Sequence, residues 1–158
     1  MSQYRYAKLE VLRGLDILLI NDTETKMLAG NNNLVKAASS VLTMGPRMLV
    51  VKHGEYGATA FYGHSKDAIG AKTFRAPALP LEEVVDPTGA GDSFAGGFFG
   101  YLASQKELTP GVFRRAMFYG SVMGSFAVER FGTERTENLT REEVDARFEQ
   151  FRELTHLD

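Results

Sequence analysis

The run Asp86-Pro87-Thr88-Gly89-Ala90-Gly91-Asp92, continued by Ser93-Phe94-Ala95-Gly96-Gly97-Phe98-Phe99, sets a glycine-rich turn against the start of a helix with a carboxylate at the junction. These residue types suit phosphoryl transfer. Two glycines around one alanine let the three backbone N–H groups of Gly89, Ala90 and Gly91 converge on an anionic oxygen. Phe94, Ala95, Phe98, Phe99 and Leu102 recur at helical spacing, which puts the first helical turn near Gly91 to Ser93, where anions bind. The positive helix end favours a carboxylate at Asp92, within reach of a nucleophile approaching the phosphate, and Asp92 could accept its proton. An ordinary βα turn with an N-capping aspartate is the alternative, and would suffice if GAGD stood alone. Other phosphate motifs do not fit: GxxxxGK[ST] is absent, and Phe94 stands where GxGxxG needs its third glycine.

DPTGAGDSFAGGFF resembles the C-terminal signature of the ribokinase-like, or pfkB-type, carbohydrate and nucleoside kinases. The resemblance implies that Asp92 is the base for the acceptor hydroxyl and that Gly89, Ala90 and Gly91 form the anion hole. It also implies that Asp86 and Thr88 help hold a monovalent cation, with potassium the candidate. Pro87 replaces the more usual threonine, a change compatible with a turn.

Several elements must position this signature. Asp16 to Ile20 and Met48 to Val51 read as buried parallel strands. Helical patterns over Thr23 to Ala29 and Leu34 to Met44, broken at Gly30 to Asn33, supply the crossover between them. Ala58 to Tyr62 and a strand near Ala71 to Phe74 flank a Gly63-His64 turn, a hairpin excursion before Val84-Val85 leads into the signature. Pro110 opens a helix to about Arg130, and Thr140 to Glu143 is a capping box for a last helix on Val144, Phe148, Phe151 and Leu154. This alternation predicts an α/β sheet with helices on both faces and ligands at the carboxyl ends of the strands. Three strand ends, before Asn21, Lys52 and the signature, would then share one nucleotide site. With the resemblance, the expected fold is a ribokinase-like three-layer αβα sandwich, mostly parallel with a hairpin excursion, present as its C-terminal half in one domain over 1–158.

Asn21-Asp22-Thr23-Glu24 is similar to the family's NxxE motif, which implies that Asn21 and Glu24 organise magnesium, largely through water, beside the ATP phosphates. The same four residues are a helix capping box that needs no metal, and one segment can serve both ends. Asp22 reads as a helix-start charge. Lys52-His53-Gly54-Glu55-Tyr56-Gly57 resembles the strand-end segment in which Lys52 approaches the phosphates while Gly54 and Gly57 let the chain pass the nucleotide; the plainer reading is a hairpin entry beside a surface lysine. Phe118 to Thr133 is similar to the adenine-side helix and following loop. Ser121 stands where many relatives have asparagine, implying contact with the adenine edge or ribose, and Gly132 falls in the cation loop. Gly120 and Gly124, four apart, also suit close helix packing without any ligand.

Composition bounds the rest. A chain of 158 residues with 44% hydrophobic content can bury one core, and a net charge of −2 argues against a general nucleic-acid binder. Arg114-Arg115 reads as a solvated helix face. No cysteine is present, which excludes disulfides and thiolate chemistry and weakly favours a cytoplasmic address. His53, His64 and His156 lie at spacings unsuited to zinc and read as surface or turn residues. No signal-peptide pattern opens the chain, and the run Phe94 to Ala103 is about half a membrane span, so no membrane partner is expected. The resemblance implies a sugar or nucleoside kinase using ATP and magnesium, with the substrate pocket in a portion absent from these residues. An open strand edge and a homo-oligomer are expected in consequence. A non-catalytic nucleotide-binding module, or a truncated relic serving as a regulatory or interaction protein, is the competing reading.

Overall fold

The structure, a computed structural model, describes residues 10–63 and 73–156. It divides into two compact units, the first running up to His53 and resuming from Ala58 to Arg75, the second comprising Gly54–Gly57 and the chain from Ala76.

In the first unit, strand β1 (Ile17–Asn21) is followed by helices α1 (Asp22–Ala29) and α2 (Leu34–Leu42) and strand β2 (Met48–Lys52). The two strands pair in parallel from Ile17 opposite Met48 to Asn21 opposite Lys52, as the helical crossover requires. Strand β3 (Ala58–Tyr62) returns antiparallel to β2, and β4 (Thr73–Ala76) completes the order β1-β2-β3-β4, so the sheet is mixed. The expected Gly63-His64 turn and the start of the strand near Ala71 lie partly outside the described residues. Alternate residues face the helices: Leu18 and Ile20 of β1 with Leu49 and Val51 of β2 pack with Phe61 against Ala38, Val41 and Leu28. Gly30, left-handed at φ 63°, ends α1, and Asn33 starts α2 by accepting the Lys36 N–H at 3.0 Å. One expectation needs correction. β1 is half-buried along its whole length, unlike β2, because it has a neighbour on one side only among the described residues.

The second unit holds α3 (Ala90–Ala103), α4 (Pro110–Ala127) and α5 (Arg141–Leu154). Thr109 caps α4 ahead of Pro110, and Thr140 with Glu143 forms the capping box of α5. Phe94, Phe98 and Leu102 form a narrower stripe on α3 than the spacing suggested, with Phe99 42% exposed. Gly120 lets α4 approach α3, since a Cβ there would lie 2.9 Å from the Phe94 ring; at Gly124 the nearest atom is an ordinary 3.5 Å away. Val122, Phe126 and Phe151 centre the core, joined by Phe118, Val144 and Phe148. Tyr101 of α3 stacks on Tyr119 of α4 at 4.5 Å between centroids, and Tyr119 on Phe148 of α5 at 4.7 Å.

Val84-Val85 is not a strand. The two side chains are 55% and 44% exposed, and the Val85 N–H donates to the Val128 carbonyl at 2.9 Å. This segment therefore brackets the end of α4, and the expectation of a third strand end before the signature is withdrawn. α4 also stops at Ala127, short of Arg130, because the Val128 carbonyl turns to receive the Val85 and Asp86 amides.

Candidate functional site

In the first unit the carboxyl ends of the parallel strands put Asn21 directly opposite Lys52. Their being neighbours was beyond the reach of sequence spacing. Asn21 Oδ1 accepts the Glu24 N–H at 2.7 Å, and Glu24 Oε2 accepts the Asn21 N–H at 2.9 Å. The capping box is thus formed, and Glu24 Oε1 lies outside it. Asp22 pairs with Lys26 at 3.4 Å. Burial pushes the Asp22 carboxyl up, but the Lys26 hydrogen bond, the Thr23 amide and the nearby charges outweigh it and hold the group below its ordinary value. His53, expected at the surface or in a turn, lies between β2 and the Gly54–Tyr56 turn and is half-buried, with Nε2 2.9 Å from Thr59 Oγ1. Burial, then the charge of Arg75, lowers its pKa against the opposing pull of Asp22. His64 lies outside the described residues, and His156 is exposed.

In the second unit the signature builds a turn and a helix start. Asp86 Oδ1 accepts the Thr88 N–H at 2.9 Å, closing an Asx-turn. Gly89 follows at φ 80°, as the N-cap of α3, with open space where a Cβ would stand; its backbone conformation, not crowding, calls for glycine. Having no side chain, it leaves α3 without a side-chain cap, whereas Asn21, Asn33, Thr109 and Thr140 cap α1, α2, α4 and α5. The Ala90 N–H bonds the Pro87 carbonyl at 3.2 Å. Gly91 and Asp92 follow as the second and third helical residues, whose amides have no helical carbonyl to meet. The first helical turn, from Ala90, thus falls near the Gly91 to Ser93 position the apolar spacing indicated. Asp92 is exposed in this first turn.

The Thr88 N–H, then its hydroxyl, hold the Asp86 carboxyl below its ordinary value against the opposing effect of burial, with a lesser lowering contribution from the Gly132 N–H. The fold thus brings Asp86, Thr88 and Gly132 together, though 44 positions separate Thr88 from Gly132 in the sequence. Ser121 is 7% exposed on α4. Gly54 is exposed in a left-handed conformation, φ 59°. Gly57 is buried at φ 90°, and a Cβ there would run into the Ala76 carbonyl oxygen and the Pro77 carbonyl carbon, so the backbone itself calls for glycine here.

Sequence reading missed a cluster beside this turn. Glu129 accepts Arg135 Nε at 3.0 Å and Arg147 Nη2 at 2.7 Å, and both guanidiniums lie over the Phe126 ring, at 4.8 and 4.0 Å from its centroid. The three charges are spread over 19 positions, so no local spacing announces them.

The sequence profile of the pfkB family carbohydrate kinases matches residues 2–140. The chain is 36% identical over 91 residues to cytidine kinase of Thermococcus kodakarensis, covering 56% of this chain and 30% of that protein. It is 33% identical over 146 residues to nucleoside kinase of Methanothermobacter thermautotrophicus, covering 91% and 42%. Among solved structures, aminoimidazole riboside kinase from Salmonella enterica, complexed with aminoimidazole riboside and an ATP analog, superposes with a TM-score of 0.77 at 22% identity, covering 92% of this chain and 46% of that one. The chain therefore spans less than half the length of each of these proteins.

Proposed function

The chain belongs to the pfkB family of carbohydrate kinases, and from that premise we propose that it supplies the nucleotide site and catalytic base of an ATP-dependent kinase acting on an alcohol group of a sugar or nucleoside. The observation that carries this reading is the start of α3: a left-handed Gly89, no side-chain cap, and Asp92 exposed in the first turn. Amide donors left open at a helix N-terminus suit a phosphate oxygen, and an adjacent carboxylate suits a hydroxyl that must lose its proton.

In this proposal Asp92 takes the acceptor's proton as the new O–P bond forms and the bond from the γ-phosphorus to the ADP oxygen breaks. The resemblance implies an anion hole of Gly89, Ala90 and Gly91; because the Ala90 N–H meets the Pro87 carbonyl, the amides of Gly91 and Asp92 are instead proposed as the donors to the transferring group, with Gly89 fixing the turn, and the arrangement acts by position and electrostatics. The oxygen donors of Asn21 and Glu24 fit a hydrated magnesium ion, whose chemistry is to neutralise phosphate charge. Lys52, opposite Asn21, offers a cation to the phosphates. Gly54 and Gly57 carry the backbone past the nucleotide, and Ser121 meets the adenine side. The Asp86 and Thr88 turn, beside Gly132, is the proposed place for potassium.

Calorimetric titration with ATP, with and without magnesium, tests the reading on the chain and on Asp92→Asn and Gly91→Val. Saturable binding that survives Asp92→Asn and is abolished by Gly91→Val is the expected result. Absence of binding by the unaltered chain overturns the reading for this chain, and binding without transfer to any sugar or nucleoside reduces it to a nucleotide-binding module.

A further inference from the structure

We infer that Glu129, with Arg135 and Arg147, is a positioning device that fixes the signature turn through the loop between α4 and α5. The inference rests on the proposed function for its consequence, but its geometry stands within one compact unit.

The connection runs residue by residue. Glu143 of α5 accepts Arg135 Nη2 at 2.7 Å through Oε1, while its Oε2 accepts the Thr140 N–H at 3.0 Å in the α5 capping box. Arg135 turns its Nε to Glu129, which also receives Arg147 from α5. Arg147 Nη1 reaches Ser125 Oγ at 2.9 Å, and that hydroxyl donates to the Val122 carbonyl at 2.7 Å. Glu129 is thus held from the loop and from α5 at once. The residue before it, Val128, presents the carbonyl that receives Val85 N–H at 2.9 Å and Asp86 N–H at 3.4 Å. Three residues after Glu129, in the same loop, stands Gly132, whose N–H is among the groups that lower the Asp86 pKa. The clamp therefore adjoins the Val128 carbonyl that holds the start of the signature, and none of its three side chains lies in the signature itself.

Glu129 and Arg135 are about a quarter exposed, and Arg147 15%. Their geometry is charge-assisted and partly shielded, unlike the exposed pairs Arg141–Asp145 and Arg152–Glu149. The Arg135 fork reaches two carboxylates, which a lysine ammonium could not span in the same way.

The test is amide hydrogen exchange on the chain without ligand, followed by MgADP titration, for Glu129→Gln, Arg135→Lys and the exposed control Arg141→Met. Glu129→Gln and Arg135→Lys should each speed exchange at Val85 and Asp86 by ~10-fold while Val122 and Phe126 inside α4 keep their protection. MgADP binding should weaken several-fold in the same two variants, and Arg141→Met should change neither. Unchanged exchange at Val85 and Asp86, or an equal acceleration at Val122 and Phe126, overturns the inference, the latter because it marks general destabilisation. Faster exchange with unaltered MgADP affinity overturns its functional half. If the unaltered chain binds no MgADP, the proposed function fails for this chain while the exchange result still decides the clamp. Should Glu129→Gln fail to fold, Arg135→Lys carries the same readouts.

Discussion

Asp92 and Gly89 lie three positions apart, and their substitutions should fail in different ways. Asp92 is exposed and holds no structural bond in the first turn of α3, so Asp92→Asn should leave stability and nucleotide affinity intact. In a protein competent for transfer its turnover should fall by roughly 10²- to 10⁴-fold, and full activity there would remove it as the base. Gly89→Ala meets no neighbour, yet it forces an L side chain to φ 80°; chemical denaturation should show a loss of about 1–2 kcal/mol. At residue scale the sequence was most legible where chemistry and backbone are local, as at Gly89 and in the Asn21 and Glu24 box. It was least legible at Glu129, whose partners Arg135 and Arg147 are brought together by α5. Among the same residues, Asn21 and Glu24 show why one motif supports two readings: the cap engages one oxygen of each, and Glu24 has a second.

Elements were read well when their ends carried caps. Asn33, Thr109 and Thr140 each start a helix where the side chain can accept an amide two or three residues on, and Thr140→Ala should lower stability by about 1 kcal/mol, seen as a reduced denaturant midpoint. Val84-Val85 misled because a short apolar pair carries no periodicity of its own; its partner is a helix-end carbonyl, not a strand. The α4–α5 connection also predicts a response to acid. Burial raises the Glu129 carboxyl, but hydrogen bonds from Arg147 and Arg135 more than offset it, and the folded value lies below the ordinary 4.5. A carboxyl depressed on folding stabilises above its unfolded pKa and loses that contribution as pH falls through the folded value. Stability measured by thermal unfolding should therefore decline below about pH 4.5 partly through this residue, and Glu129→Gln should flatten that part of the profile.

At the scale of the whole chain, two compact units each hold a core of their own, one around Leu49, Val51 and Phe61 and the other around Val122, Phe126 and Phe151. β1 has β2 on one side and no second strand among the described residues, and its Ile17-Leu18-Leu19-Ile20 carries none of the charges or prolines that usually guard an edge. Sedimentation velocity should accordingly show association that grows with concentration; a single concentration-independent species would show the edge to be inert. The sequence suggested an inner strand here because four consecutive apolar residues suit burial on both faces, while strand order is a property no local run encodes. Tryptophan is absent from the chain, so its near-ultraviolet spectrum belongs to tyrosine and phenylalanine alone. The phenol rings of Tyr101 and Tyr119 lie 4.5 Å apart and 13° from parallel, close enough for their electronic transitions to couple, and the junction of α3 with α4 thereby carries a built-in dichroic reporter that requires no label.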